Sequence, residues 1–384
     1  MLKRRTKCGP IGLDIGASSI KMLQLNGTGR EPAVLAAAHL EIDPTAPDPA
    51  ESARVAIAAA LRRHPFQGRR VVTALCGDEF QMKNIRLPRM PKAEMASAVE
   101  FEAQERFAFG GRPAQIRHIP VGEVRHGEEL KEEIIVLAAF DEVVEARLAM
   151  LESLKLRPMA IDIAPCAVAR NFARFLRRAE DVNAINVFLD VGQRGTSVVF
   201  MRGVEISFLK RIDIGGKSLN NAVGKAMGIS AHEAADLRVR IMREGGGRRA
   251  ADHSGVPEEI RASAADAVRP LIERLSRDVQ LCMRYFAVTF RGRKPESLTL
   301  VGGEAHEPSL MAILSEAIDV PCLIGHPLRG IGGIGLLGGS DRRSLQPAWA
   351  VAGGLALLGS PWIGSSSAVG GSLAMRSPAV GVEA

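Results

Sequence analysis

A short pattern that occurs twice, once in each half of the chain, restricts the possible fold more than any other feature. Residues 11–25 read IGLDIGASSIKMLQL and residues 185–201 read INVFLDVGQRGTSVVFM. Each copy is an apolar, β-prone strand that reaches an aspartate, Asp14 or Asp190, then a turn with small residues, then a second apolar strand. The pattern predicts two hairpins with a carboxylate near each tip. Turns of this kind aim several backbone N–H groups at one anion. In the first copy Gly16, Ala17, Ser18 and Ser19 form the turn and Lys21 adds positive charge; in the second, Gly192, Arg194, Gly195 and Thr196 play the same parts. Either copy alone is equally a tight hairpin with an incidental aspartate, and the repetition favours a phosphate site. A third element, LTLVGGEA over 298–305, is an apolar strand running into Gly302, Gly303 and Glu304, where backbone can approach a flat ring or a sugar. Gly215 and Gly216 open a further helix, whose first N–H groups suit phosphate or ribose.

Composition removes several classes of function. With 384 residues, 46% hydrophobic and 24% charged, the chain is long enough for two or three domains with ordinary cores. The net charge is +7, but aromatics are only 4%, with one Tyr and two Trp. A single-strand nucleic-acid binder uses aromatic platforms in a basic groove, so an acidic partner or an anionic surface is the better expectation. Cys8, Cys76, Cys166, Cys282 and Cys322 are scattered without a C-x-x-C spacing, which predicts a reducing compartment and no structural metal. The basic start is followed by a glycine-broken strand and not by the apolar core of a signal peptide. The apolar stretch 348–358 falls short of the ~20 residues that span a bilayer. A cytoplasmic protein is expected, reaching a membrane through a partner or surface charge.

Two phosphate loops followed by a glycine turn resemble the actin-like ATPase superfamily, in which two duplicated lobes clamp ATP and magnesium. Residues 11–25, 87–109 (LPRMPKAEMASAVEFEAQERFAF), 137–163 (LAAFDEVVEARLAMLESLKLRPMAIDI) and 211–238 (RIDIGGKSLNNAVGKAMGISAHEAADLR) are together similar to the PilM family of type IV pilus assembly proteins. The similarity covers nearly the whole chain. That family is related to the cell-division protein FtsA and shares with it an actin-like body carrying a displaced extra subdomain.

The resemblance implies an α/β, actin-like two-lobed ATPase fold with an inserted FtsA-like extra subdomain. Its expected divisions are a first lobe over 1–83, the extra subdomain over 84–163, a connecting helix over 164–184, a second lobe over 185–330, a return helix over 331–359 and a disordered tail over 360–384. On the connecting helix, Val168, Phe172 and Phe175 are expected inward and Arg170, Arg174, Arg177 and Arg178 in solvent.

The implied cofactors are ATP and Mg2+. Magnesium prefers few carboxylates, phosphates and water, a role that suits Asp14 and Asp190 acting through water. The turns 16–19 and 192–196 would cradle the phosphates, and Gly215, Gly216, Glu233, Gly302, Gly303 and Glu304 would lie near the adenosine. Two departures stand out: Arg194 in the second loop, where relatives have smaller residues, and Glu304, where a third small residue is common. Hydrolysis, at most slow, needs a group that orients water, and Asp162 before Pro165 is the candidate; its other reading is a helix cap. The implied partner is the cytoplasmic tail of a PilN-like membrane protein, held in a groove between first lobe and extra subdomain near Phe101, Phe107 and Phe109, alongside other pilus assembly components at the inner membrane. The alternatives are a sugar kinase of the same superfamily, a nucleotide-free scaffold, and a filament former.

Overall fold

The computed structural model describes residues 8–26, 31–42, 47–126, 129–245, 255–290, 294–337 and 345–360. The expected tail lies outside the described residues beyond Ser360, as does most of 244–255, where a high Gly, Arg and Asp content predicts a loop.

The first lobe begins with the hairpin β1 (Cys8–Ile15) and β2 (Ser19–Asn26), followed by β3 (Val34–Glu41), α1 (Pro49–Arg63) and β4 (Arg70–Leu75). β1 and β2 pair antiparallel with Leu13 opposite Met22 and Asp14 opposite Lys21, and β4 joins β1 in parallel. Asp48 caps α1 by accepting from the Glu51 N–H at 2.9 Å.

The chain then builds a separate three-stranded antiparallel sheet in the order β5-β7-β6, from β5 (Gln81–Pro88), β6 (Ala114–His126) and β7 (Glu129–Phe140), with α2 (Lys92–Arg106) beside it. Its core gathers Ile85, Leu87, Val99, Phe107, Phe109 and Val136. The charged residues of 125–133 predict a turn, yet this stretch is mostly strand, because β6 and β7 stay paired out to His126 and Glu129. After α3 (Asp141–Ser153), β8 (Arg157–Ile163) leaves this module. β8 pairs in parallel with β4 and completes the first sheet, order β3-β2-β1-β4-β8, so the end of the segment expected in the extra subdomain belongs to the first lobe's sheet.

After α4 (Ala164–Ala173) the plan repeats. β9 (Ile185–Val191), β10 (Thr196–Arg202), β11 (Glu205–Ile212), α5 (Gly216–Met227), α6 (Ala231–Gly245), α7 (Glu258–Thr289), β12 (Ser297–Val301), α8 (Pro308–Ala317) and β13 (Cys322–Ile324) give a second sheet of order β11-β10-β9-β12-β13. Three antiparallel strands followed by two parallel ones is the first sheet's arrangement again. The last helix, α9 (Ala350–Ala356), returns to pack on β1 and β2.

α4 and α9 are buried along their whole lengths. They pack close enough that a Cβ on Gly354 would stand 1.8 Å from the Ala167 carbonyl oxygen, and one on Gly12 of β1 would stand 2.4 Å from that of Ala352. This burial overturns half of the expected solvent face of the connecting helix: Arg177 and Arg178, just past the end of α4, are exposed as expected, but the other two arginines are not. Arg170 and Arg174 are inside, Arg170 bound to Asp162 at 2.6 Å and Arg174 donating to the Pro327 carbonyl at 2.7 Å.

Candidate nucleotide cleft

Both acid-tipped hairpins form as their sequences dictate, and both close in the same way. The Gly16 N–H donates to the Ser19 carbonyl at 3.0 Å, and the Gly192 N–H donates to the Gly195 carbonyl at 3.0 Å. Each turn leaves its aspartate at the end of the inner strand of its sheet. The two carboxylates feel each other: burial, followed by the charge of Asp14 and opposed by Lys21, pushes the Asp190 carboxyl up to about 7. Burial also raises Asp14, against the pull of Lys21 and Arg147. The Cys76 thiol, at the end of β4, donates to Asp14 Oδ1 at 3.9 Å and is itself pushed well up by burial and by Asp14.

The cations around this pair are fixed by the first lobe. Lys21, directly across the ladder from Asp14, is buried and donates to the Ser19 hydroxyl at 2.8 Å. Arg147, which the sequence reading did not single out, comes from α3 and is 6% exposed; it donates to the Ala74 carbonyl at 2.8 Å and to Glu79 at 2.5 Å. The buried Asp14 and half-buried Asp190 thus stand among two buried cations, Lys21 and Arg147, a donor set with the chemistry for a divalent cation and a phosphate. Among the described residues no group of three His, Cys, Asp or Glu side chains converges for a metal. A cation held by Asp14 and Asp190 would therefore complete its shell with phosphate and water oxygens, which suits Mg2+.

The loops around the acids require glycine. A Cβ on Gly302, whose φ is +94°, would lie 2.6 Å from Asp190 Oδ1 and 2.5 Å from the Val191 carbonyl oxygen. One on Gly215 would lie 2.4 Å from the Gly192 carbonyl oxygen. Gly303 has open space where its Cβ would be.

Several expected contributors are committed elsewhere. The Thr196 hydroxyl donates to the Ile214 carbonyl at 2.7 Å in a buried setting. The N–H groups that open α5 are not free for a ligand: Gly216 donates to Gly192 at 3.0 Å and Lys217 to Gln193 at 2.8 Å, so the helix start docks on the second loop. Arg194 points out to Asp78 of the first lobe at 2.9 Å. Glu233 caps its own helix, accepting from the Ser230 N–H and hydroxyl, and these bonds hold its carboxyl low; the side chain is on the surface.

Glu304 does lie at the cleft, with Oε1 2.2 Å from the position a Gly216 Cβ would take and Gln193 Oε1 2.3 Å from the same point. Its other oxygen accepts from Arg238 at 2.7 Å, and Arg238 also binds Glu307 at 2.6 Å and Asn220 at 2.7 Å. Arg238 is the member of this buried group without a local signal in the sequence, since its partners lie 18 to 69 positions away.

Asp162 cannot orient a water. It is 1% exposed, with one oxygen on Arg170 and the other accepting the Ile163 N–H at 2.8 Å. It is not the helix cap either, since the residue before α4 is Ile163 and makes no side-chain cap. Of the three phenylalanines expected in a groove, Phe107 and Phe109 stack in the extra subdomain's core, ring centroids 5.5 Å apart, and only Phe101 is exposed, at 65%.

Duplicated sheets of one topology, with facing acid-tipped turns and a third module inserted in the first lobe, define an actin-like two-lobed α/β fold. The sequence profile of the type IV pilus assembly protein PilM family matches residues 12–360, and the chain belongs to that family. It is similar to the solved PilM-PilN type IV pilus biogenesis complex, with 24% identity, 92% of this chain and 98% of that chain covered and a TM-score of 0.73. It also resembles the ethanolamine utilization protein EutJ from Carboxydothermus hydrogenoformans, with 13% identity, 91% and 89% coverage and a TM-score of 0.52. No helix among the described residues is long and apolar enough to cross a membrane.

Proposed function

We propose that this chain is an ATP-binding scaffold of a type IV pilus assembly complex, held at the cytoplasmic side of the inner membrane by the tail of a PilN-like membrane protein, and that Mg-ATP shifts its lobes. Family membership supports the assembly role. The observation that carries the nucleotide is the pair Asp14 and Asp190, one from each lobe, with Asp190 pushed up to about 7 by burial and by the charge of Asp14, against the pull of Lys21. A bound Mg2+ would supply positive charge between the two carboxylates; Asp14 and Asp190 would hold it through water, and Lys21 with the backbone of the two turns would meet the phosphate. The nucleoside end is narrower, because Glu304 and Gln193 lean over Gly216, while Gly303 leaves an opening. For the partner tail, α2 offers Phe101 on a face that also exposes Glu94, Glu100 and Glu105, which favours a basic segment with an apolar anchor.

The test is the melting temperature with and without Mg-ATP, read beside the affinity of a peptide copying the PilN-like tail. Ligand at a hundred times its dissociation constant adds about 2.7 kcal/mol to the folded state. The expected result is an upward shift that Asp190→Asn abolishes, together with peptide binding that Phe101→Ala weakens. No shift at millimolar Mg-ATP with peptide binding intact would leave a nucleotide-free scaffold, and no peptide binding would overturn the partner assignment.

A further inference from the structure

A groove of ≈ 590 Å3 lies between the second lobe and the extra subdomain, bounded by β11, α7 and Asn84 of β5. β11 is the outer strand of its sheet, and β10 is its one strand partner among the described residues. Lys210, Arg211 and Ile212, the last three residues of β11, line the groove in unbroken succession, followed by Asp213 just beyond the strand. Side chains alternate across a strand, so a consecutive run means that the groove follows the strand's free edge, where the backbone N–H and C=O groups not used by β10 point.

The opposite wall, from α7, is apolar and exposed: Leu281 and Tyr285 line it, and Leu281 (55% exposed), Tyr285 (38%) and Val288 (84%) follow one another along α7 at spacings of one helical turn, while the buried Phe208 of β11 lines the groove from the strand side. The charges around it are mainly positive. Lys210 and Arg274 line the groove and make no ion pair among the described residues, and Arg277 and Arg284 are exposed on the same half of α7. Of the lining acids, Asp213 is already bound by Arg211 at 3.0 Å, which leaves Asp278.

We propose that this groove binds an extended acidic peptide of a partner protein, which adds to the free edge of β11 as a sixth strand and sets alternate apolar side chains against Phe208, Leu281 and Tyr285. A strand edge inside a concavity offers main-chain hydrogen bonds to a single extended chain, with pockets for every second side chain. A bilayer meets a convex or flat surface instead. The acidic character follows from Lys210 and Arg274, which an incoming carboxylate would pair with. This surface lies away from the Phe101 face of α2, so it serves a second partner.

The experiment pans a display library of random peptides of about ten residues against the whole chain, with the double variant Lys210→Glu, Arg274→Glu for counter-selection. Both positions are exposed, so the variant keeps its fold, checked by an unchanged circular-dichroism melt. The expected winners alternate apolar residues with Asp or Glu, bind the variant at least about tenfold more weakly, and lose binding when alternate backbone amides are N-methylated. The proposal is overturned if no peptide is enriched, if winners bind the variant equally, or if N-methylation is tolerated. Sedimentation with vesicles containing about one-fifth anionic phospholipid, lost in the same variant, would also overturn it and make the face a membrane contact.

Discussion

Arg194 of the second phosphate loop donates from Nη1 to Oδ1 of Asp78 in the first lobe at 2.9 Å, an ion pair that bridges the two lobes at the cleft. Partial burial pushes the Asp78 carboxyl up, but its own backbone N–H and Arg194 outweigh this and hold it below the usual range. Arg211 lies alongside, its guanidinium filling the space that a Cβ on Gly77 would enter. The residue that departs most visibly from a small-residue phosphate loop is thus a tie between lobes.

The tie should be weak and still detectable. Its side chains are 52% and 66% exposed, and pairs this exposed contribute about 0–1 kcal/mol. Arg194→Ala is expected to lower the melting temperature by no more than ~3 °C, yet to widen the ligand-free protein in small-angle X-ray scattering. High salt should widen the wild type to the same extent. An unchanged radius of gyration in both would show that the pair does not hold the cleft.

Asp162 and Arg170 give a prediction of the opposite size. Their ion pair, 2.6 Å long with side chains 0% and 1% exposed, sits where α4 meets β8. Removing one partner of such a pair leaves an uncompensated buried charge and costs about 3–5 kcal/mol. Asp162→Ala should therefore lower the urea midpoint sharply, whereas Asp162→Ala combined with Arg170→Met should recover much of the loss. A catalytic Asp162 would instead give a stable protein with impaired turnover.

The difference between these two arginines explains how much of the molecule the sequence makes legible. The strands and turns are local matters: alternation and small residues predict both hairpins, and the heptad-like apolar run over 258–286 predicts a long helix where α7 forms. Partners for buried charge are not local. Arg170 and Arg174 read as a solvent face because nothing beside them announces Asp162 on a preceding strand or the carbonyls of Pro327 and Gly354. Glu304 read as a foreign charge near a polyanion because Arg238, which neutralises it, lies 66 residues earlier. β8 was placed with the extra subdomain for the same reason, since parallel pairing with β4 is a long-range event without a local signature.

Acidity at the cleft carries a pH signature. The Asp190 carboxyl moves from its ordinary value of 3.8 to about 7 in the folded protein. Below the lower value it is protonated in both states and its contribution to stability is fully present. As pH rises towards 7 the unfolded chain ionises first, so the folded state loses stability across that window and the loss levels off above it. Asp190→Asn cannot ionise and escapes this loss. The difference in melting temperature, variant minus wild type, should therefore grow between pH 4 and about 7 and stay flat at higher pH. A difference independent of pH would mean that Asp190 is already neutralised by its surroundings.

Glycine separates structure from site most cleanly. At Gly354 an added Cβ would meet the Ala167 carbonyl oxygen at 1.8 Å, backbone against backbone between two fully buried helices that neither can leave. Overpacking of a buried core costs about 1–3 kcal/mol and occasionally more, and here no flexible side chain is available to yield. Gly354→Ala should express poorly or melt far below the wild type. At Gly303, by contrast, a Cβ meets nothing within 4 Å, and its backbone is not in the left-handed region, so the fold has no objection to alanine. The added methyl group nevertheless enters the opening beside Asp190 and Glu304 that the nucleoside is proposed to use. Gly303→Ala is expected to keep the ligand-free melting temperature and to lose a large part of the Mg-ATP shift. Retention of the full shift would move the nucleoside away from this turn, and loss of ligand-free stability would make Gly303 a structural residue like Gly354.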